Sequence, residues 1–247
     1  MGLNYRKDDD LEFLQYCSEG DIQQLANYLI YDKDNKERIA SEILNSEDFK
    51  LLNNQPDQWR KSWKLVAGEL QHFGGDSIVN LFRGTGVLYK EILSDVCDKL
   101  EVKYNRTDSA YNIENSLIER LVKLSWEKMS EKEKQEALKT FNVPSSIYGS
   151  PLLYIMKVIE EGGLGSFQWS SWLAQSVSVA FGYTALSSIS LDAAATFIGG
   201  RSLAFVAAPL AIAATIPLFS GVAYRVTMPS VIQIAYMRRR YEQKERF

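Results

Sequence analysis

WRKSWKLVAGELQHF, residues 59–73, carries the clearest helical pattern of this chain. Its large apolar residues recur at steps of three and four, so they form one stripe along a helix and face a core. The stripe consists of Trp59, Trp63, Val66, Leu70 and Phe73. Gly74 and Gly75 follow at once and predict the end of this helix, because glycine tolerates the left-handed conformation of a helix cap.

Comparable spacing of apolar residues continues through residues 1–161, where no strand-like alternation of apolar and polar residues is sustained. Residues that commonly cap helix N-termini precede several of these stripes. They are Asp10, Asp21 with Gln24, Asp76 before a short helix to Phe82, and Ser130 with Glu133. The sequence therefore predicts an all-α fold, an amphipathic helical bundle.

Charge is distributed unevenly along the 247 residues. Residues 1–161 carry 21 Lys or Arg and 28 Asp or Glu, whereas residues 162–224 carry only Asp192 and Arg201. Residues 225–247 carry six basic and two acidic side chains. Because about a quarter of the residues of an ordinary soluble domain are charged, the stretch after residue 161 is expected to be a different region of the protein.

The charge-poor stretch predicts an Ala-rich helical hairpin. One helix is expected from about residue 167 to 191 and a second over residues 202–224, with a turn at Gly199-Gly200-Arg201 between them. The second run would reach about 35 Å as a helix, enough to cross a bilayer core of about 30 Å. Pro209 and Pro217 interrupt it, however, and uncharged Ala-rich helices also occur at the centre of soluble bundles. The sequence is therefore compatible both with insertion of this hairpin into a membrane and with its burial in a soluble helical bundle.

Three consecutive arginines, Arg238, Arg239 and Arg240, follow the apolar residues near the C-terminus. A basic cluster after apolar helices suits an anionic, cytoplasmic lipid surface, so these residues are a candidate lipid-facing basic tail. A solvated helix end is the other interpretation.

Composition excludes several classes of protein. A net charge of −3 gives no general attraction to nucleic acid, and no nucleic-acid partner is expected. Cys17 and Cys97 cannot build a disulfide scaffold, and the acidic N-terminal sequence lacks the pattern of a signal peptide. These features favour a reducing, cytosol-facing environment.

The chain offers little for catalysis. Glu69 and His72 have the Glu-x-x-His spacing of di-metal bundles, but those sites need two such pairs and His72 is the single histidine. Gly84 and Gly86 beside Arg83 lack the strand and the Gly-Lys-Ser/Thr sequence of a phosphate-binding loop. We therefore expect no catalytic residue, no cofactor and no metal site, and the prediction is a protein that is not an enzyme.

Three strings of the sequence closely resemble the YaaW family of bacterial proteins. They are DLEFLQYCS at 10–18, WKLVAGELQHFGGDSIVNLFRGTGVLYKEIL at 63–93 and SGVAYRVTMPSVIQIAYMRR at 220–239. The resemblance implies a bacterial, non-secreted protein with a short N-terminal helical module at residues 1–35. The charge distribution divides the rest of the chain into an acidic helical domain at 36–161 and a hydrophobic helical region with a basic tail at 162–247. The middle segment is also similar to the ubiquinol–cytochrome c chaperone family, helical factors that assist assembly of a membrane protein.

The second string contains the candidate family-motif junction, a set of polar residues and glycines near predicted helix ends. Its members are Glu69, Gln71, His72, Gly74, Gly75, Asp76, Arg83, Gly84 and Gly86. They could form a partner-binding or regulatory face, or a hydrogen-bonded junction that fixes the geometry of the helices.

Two functions from different classes remain. The first is a membrane-associating protein whose hydrophobic hairpin docks on or inserts into the bacterial inner membrane, for example as a stress or defence effector. The second is a soluble helical chaperone or assembly factor for a hydrophobic membrane-protein partner. The expected partner is accordingly membrane lipid or a hydrophobic protein. The expected location is the cytoplasmic face of the inner membrane, or the cytoplasm.

Overall fold

The computed structural model describes residues 4–32, 34–39, 41–53, 55–74, 86–144, 150–180 and 224–245. Within these ranges the regular structure is helical, and there is no strand beyond an isolated antiparallel bridge between Tyr31 and Glu37. The predicted all-α fold is confirmed.

The described helices occur in the following order along the chain. A 3₁₀ helix, Glu12–Tyr16, is followed by α1 (Glu19–Ile30), α2 (Glu47–Leu51), α3 (Gln58–Lys61), α4 (Trp63–Gly74) and α5 (Tyr89–Lys99). Next come α6 (Ala110–Lys128), α7 (Glu131–Thr140), α8 (Pro151–Glu161), α9 (Gly163–Ala180) and α10 (Tyr224–Glu245). Helix α10 is central, because it packs against α1, α4, α5, α6 and α9.

The helix predicted for residues 59–73 is present, but it is divided. The backbone N–H of Ser62 is shared between the carbonyls of Gln58 and Trp59, a tightened turn that ends α3 before α4 begins. The predicted stripe faces the core in α4, where Val66 and Leu70 are fully buried. Helix α4 ends at Gly74, as the glycine pair predicts. The helix expected from Asp76 to Phe82 lies outside the described residues.

The structure confirms one of the predicted helix caps and differs from two others. The capping box of Ser130 and Glu133 is confirmed at the start of α7. Helix α1 begins earlier than predicted, because the hydroxyl of Ser18 accepts a hydrogen bond from the backbone N–H of Asp21 (3.3 Å). Asp10 does not cap the first helix, whose N-cap position is occupied by Leu11 without any side-chain cap.

Replacing Ser130 with Ala is expected to lower the free energy of unfolding by about 1 kcal/mol, because the backbone N–H of Glu133 would lose its acceptor. Chemical denaturation of the full chain measures the change. Ser46→Ala is the matched control, since Ser46 holds the N-cap position of α2 without forming a cap hydrogen bond. An equal loss in both variants would contradict a specific role of the capping box.

One apolar core extends through the described residues from Leu11 to Met237 and draws on all three predicted regions. Gly162 and Gly163 have positive φ angles of 76° and 72°, so the backbone turns sharply between α8 and α9 at the predicted boundary. Helix α8 nevertheless packs against α9.

The structure describes the predicted hairpin only in part. Residues 167–180 lie in α9, which contributes Trp169, Trp172, Leu173, Ala174 and Val177 to the core; Trp169 is 2% exposed. The rest of the predicted hairpin, from residue 181 to 223, lies outside the described residues. In the described part of the chain, no helix has both the length and the apolar character needed to cross a bilayer.

Helices α9 and α10 run antiparallel. Near the start of α9, Ser166 accepts a hydrogen bond from Arg239 Nε (2.9 Å), and the Phe167 ring stacks on the Tyr236 ring of α10. From Phe167 to Ala180 and from Tyr236 back to Tyr224, the two helices rise by similar lengths, about 19 and 18 Å. Ala180 and Tyr224 are therefore at the same end of the helix pair.

Candidate functional site: buried ionic centre and α4 contacts

The largest buried charge cluster of the described residues is built around Glu114 of α6, whose side chain is fully buried. The Glu114 carboxylate accepts hydrogen bonds from the Tyr89 hydroxyl (2.8 Å), Arg238 Nε (3.0 Å) and Arg239 Nη1 (3.1 Å). Since Tyr89 lies on α5 and both arginines on α10, this single carboxylate joins three helices. We call these four residues the ionic centre.

Arg238 connects the ionic centre to the N-terminal segment. Its Nη2 donates to the backbone carbonyl of Asp10 (2.8 Å), and its guanidinium lies 4.4 Å from the centre of the Phe13 ring. Burial opposes the charge of Arg238, but the Glu114 carboxylate together with Tyr89 and Asp10 outweighs burial and raises the pKa of Arg238 above its ordinary value. Burial also raises the pKa of the Tyr89 phenol, so this hydroxyl stays protonated and donates to Glu114.

Arg239 is 1% exposed, and each nitrogen of its guanidinium has an acceptor. Besides Glu114, Nη1 donates to the carbonyl of Ala235 (2.7 Å), Nε donates to Ser166 and Nη2 donates to Asn115. A buried guanidinium is tolerated only with such pairing, because an unpaired charge in a protein interior is very costly.

Arg240 forms a second ion pair, with Asp21 of α1. Its Nη1 lies 2.8 Å from Asp21 Oδ1 and 3.3 Å from the Tyr236 hydroxyl. Burial raises the pKa of Tyr236 to about 12. Helix α1 and helix α10 are thereby held together through a partly buried contact.

This placement differs from the predicted lipid-facing tail. The side chains of Arg238, Arg239 and Arg240 are 12%, 1% and 34% exposed, and all three face carboxylates of the protein. The positive charge of the last residues was the only basis for predicting a lipid-facing tail. Glu114 and Asp21 lie more than a hundred residues away along the chain, so local sequence patterns do not identify them as the partners of these arginines.

Helix α4 carries the first residues of the family-motif junction, and they point to different neighbours. Glu69 is 2% exposed, and both of its carboxylate oxygens accept from the backbone N–H of Glu42 (3.1 and 3.3 Å). Burial raises the pKa of Glu69 to about 7, although nearby Ser41 and the Glu42 N–H oppose this shift. Glu69 thus fixes the segment that follows α1.

Gln71 holds the N-terminal segment instead. Its side-chain amide accepts from the backbone N–H of Arg6 and donates to the Arg6 carbonyl, both at 2.9 Å. Gly86 packs directly on Gln71, because a Cβ at residue 86 would lie 2.6 Å from the Gln71 Cβ. Gly68 likewise allows the backbone of Tyr5 to approach α4.

The remaining members of the junction do not complete a cluster. His72 is exposed, away from buried Glu69, and Gly74 is the last residue of α4. Gly75, Asp76, Arg83 and Gly84 lie outside the described residues. Within the described ranges, no group of three or more His, Cys, Asp or Glu side chains could hold a metal ion.

Sequence reasoning missed two carboxylates that cap helices from a distance. Asp8 Oδ2 accepts from the backbone N–H of Tyr89 (2.6 Å) at the start of α5. Glu19 accepts from the backbone N–H groups of Trp59 and Arg60 (3.0 and 2.8 Å) at the start of α3. One signal was available for Asp8, because Leu88 precedes α5 and its side chain cannot cap a helix.

Comparison with known proteins identifies the family. The chain is 37% identical over 242 residues to the UPF0174 protein YaaW of Escherichia coli strain K12, covering 97% of each chain. The chain belongs to the YaaW (UPF0174) family. A UPF0174 protein of Helicobacter pylori strain J99 is 32% identical over 252 residues, with 98% of this chain and 95% of that protein covered. No solved structure matches the chain.

A family description, Domain of unknown function (DUF3944), matches residues 5–39 of this UPF0174 chain. This segment supplies carboxylates to other parts of the bundle. Asp8 and Glu19 cap α5 and α3, and Asp21 pairs with Arg240. The N-terminal segment is therefore joined to the rest of the protein through specific polar contacts as well as through the apolar core.

Proposed function

We propose that this UPF0174 protein is a non-enzymatic, membrane-associating protein whose hydrophobic hairpin docks on or inserts into the inner membrane. The observation that carries the proposal is the near absence of charge from residues 162–224, where Asp192 and Arg201 are the only charged residues. Since residues 163–180 form α9 of the bundle, we propose that residues 181–223 are the part of the charge-poor stretch that contacts the membrane.

The antiparallel arrangement of α9 and α10 supports this proposal. A hairpin that reaches a membrane must leave and re-enter the protein at one end of the bundle. Ala180 and Tyr224 meet that requirement, because they lie at the same end of the helix pair. The 43 residues between them allow two arms of about 20 residues each, the length of helix that spans a bilayer core.

The described bundle is consistent with a protein in which a folded helical part carries a separate membrane-contacting segment. Within the described residues, the bundle has a continuous apolar core and carries its charged side chains mainly at the surface. Inner-membrane lipid is the proposed partner, at the cytoplasmic face. The ionic centre and the Arg240–Asp21 pair serve in this proposal to anchor α10, the helix that follows the hairpin.

The test places a charge in the proposed membrane segment of the full chain. Ala207→Arg is expected to weaken association with phosphatidylethanolamine–phosphatidylglycerol vesicles by about 2.5 to 3.5 kcal/mol, because a charge at the centre of a membrane helix is costly. Vesicle flotation of wild type and variant over a range of lipid concentrations measures the change.

Leu153→Arg is the matched control, since it also replaces an apolar residue by arginine, at a site 70% exposed on α8. It should leave vesicle association unchanged. A folded Ala207→Arg variant that floats like the wild type would refute insertion. Unfolding of Ala207→Arg in lipid-free buffer would instead favour a buried segment, as expected for the alternative helical chaperone or assembly factor.

A further inference from the structure

Glu69 is a buried carboxylate that forms no ion pair among the described residues. The groups that act on it come from the segment facing α4: Ser41 and the Glu42 N–H favour its charged form, and the Glu42 carboxylate opposes it. Helices α1, α3, α5 and α10 also pack against α4, but no charged group of their described residues acts on Glu69. Among the residues that the structure describes, Glu69 therefore has no cation partner of the kind that Glu114 has.

The segment 41–46 contacts α4 through this carboxylate. Ser41 and Ile43 are buried and Glu42 between them is exposed, so alternate residues face inward. Apart from the Glu42–Glu69 contact, the hydrogen bonds of its backbone N–H groups are local turns, such as those from Asn45 to Glu42 and from Ser46 to Ile43. Glu69 is thus the polar anchor of this segment.

We infer that Glu69 is a proton-dependent anchor, neutral while segment 41–46 is docked on α4 and ionised when the segment detaches. An unpaired carboxyl group in an apolar interior favours its neutral form, whereas the same group in contact with water ionises below neutral pH. A rise in pH therefore favours the detached state and exposes Ile43. This regulation is independent of the membrane proposal, since it involves only residues of the bundle.

The direction of the effect follows from the shift of the pKa of Glu69 from an ordinary 4.5 to about 7. The stabilisation of the docked state is fully present below pH 4.5 and is lost as the pH rises to about 7. Between pH 5 and pH 8, the equilibrium constant for detachment should rise about 70-fold through this group alone.

Hydrogen exchange of the full chain, followed by NMR, measures detachment at the Glu42 amide. After correction for the intrinsic exchange rate, its protection should fall about 70-fold from pH 5 to pH 8 in the wild type. In Glu69→Gln, which keeps the shape but cannot ionise, this fall should be absent. The Ser130 amide is an internal control, because its acceptor is the Glu133 carboxylate, an exposed group whose pKa is lowered.

Two results would overturn the inference. One is equal protection of the Glu42 amide at pH 5 and pH 8 in the wild type. The other is the same fall in wild type and Glu69→Gln. Should Glu69→Gln fail to fold, an NMR titration of the wild-type Glu69 carboxyl carbon decides instead. A midpoint near 7 supports the anchor, and a midpoint below 5 refutes it.

Discussion

Replacing Glu114 with Gln is expected to lower the free energy of unfolding by about 3 to 5 kcal/mol. The variant keeps the size of the side chain, but it leaves Arg238 and Arg239 without the carboxylate that compensates their charge. Arg239 is 1% exposed, so water cannot take over this role. Chemical denaturation of the full chain, followed by circular dichroism, measures the loss.

Glu127→Gln is the matched control, because it makes the same chemical change at an exposed position of the same helix. It should change stability by less than about 0.5 kcal/mol. The double variant Glu114→Gln/Arg239→Met should lose less stability than the sum of the two single changes, since one of the two uncompensated charges, that of Arg239, is then removed. Additive losses would show that the two side chains do not depend on each other.

The positions of the helices were largely predictable, because apolar spacing and caps are local properties of the sequence. The stripe of α4 and the capping box of α7 are in place as predicted. The break at Ser62 was not predicted, because the stripe of apolar residues continues across it while the backbone hydrogen bonds tighten. The cap of α5 was missed since its carboxylate, Asp8, is 81 residues away.

The candidate site was less predictable, for two physical reasons. First, Glu69, Gln71 and His72 were grouped because they are close in sequence, but successive residues of a helix point about 100° apart. Each consequently meets a different environment: the segment after α1, the N-terminal segment, or solvent. Second, the arginines of α10 are paired across more than a hundred residues, and a single sequence contains no signal that assigns such partners.

Replacing Trp169 with Ala is expected to lower the free energy of unfolding by about 3 to 5 kcal/mol, comparable to the loss of Glu114. Trp169 is 2% exposed, its ring centre lies 3.9 Å from that of Phe141, and it meets Trp172 edge to face at 5.4 Å. Removing the indole leaves a cavity between α9 and the end of α7. Chemical denaturation followed by far-UV circular dichroism measures the change in the full chain.

Leu164→Ala is the control, because Leu164 lies on the same helix but is 61% exposed. It should change stability by less than about 0.5 kcal/mol. The comparison also locates the start of the proposed membrane segment, since α9 opens the charge-poor stretch. A large loss for Trp169→Ala alone, measured without lipid, supports α9 as part of the bundle. It would leave only the residues after Ala180 for contact with a membrane. If both variants changed the free energy of unfolding by the same small amount, the core packing of Trp169 would be contradicted. Residues 167–180 would then again be assigned to the proposed hairpin.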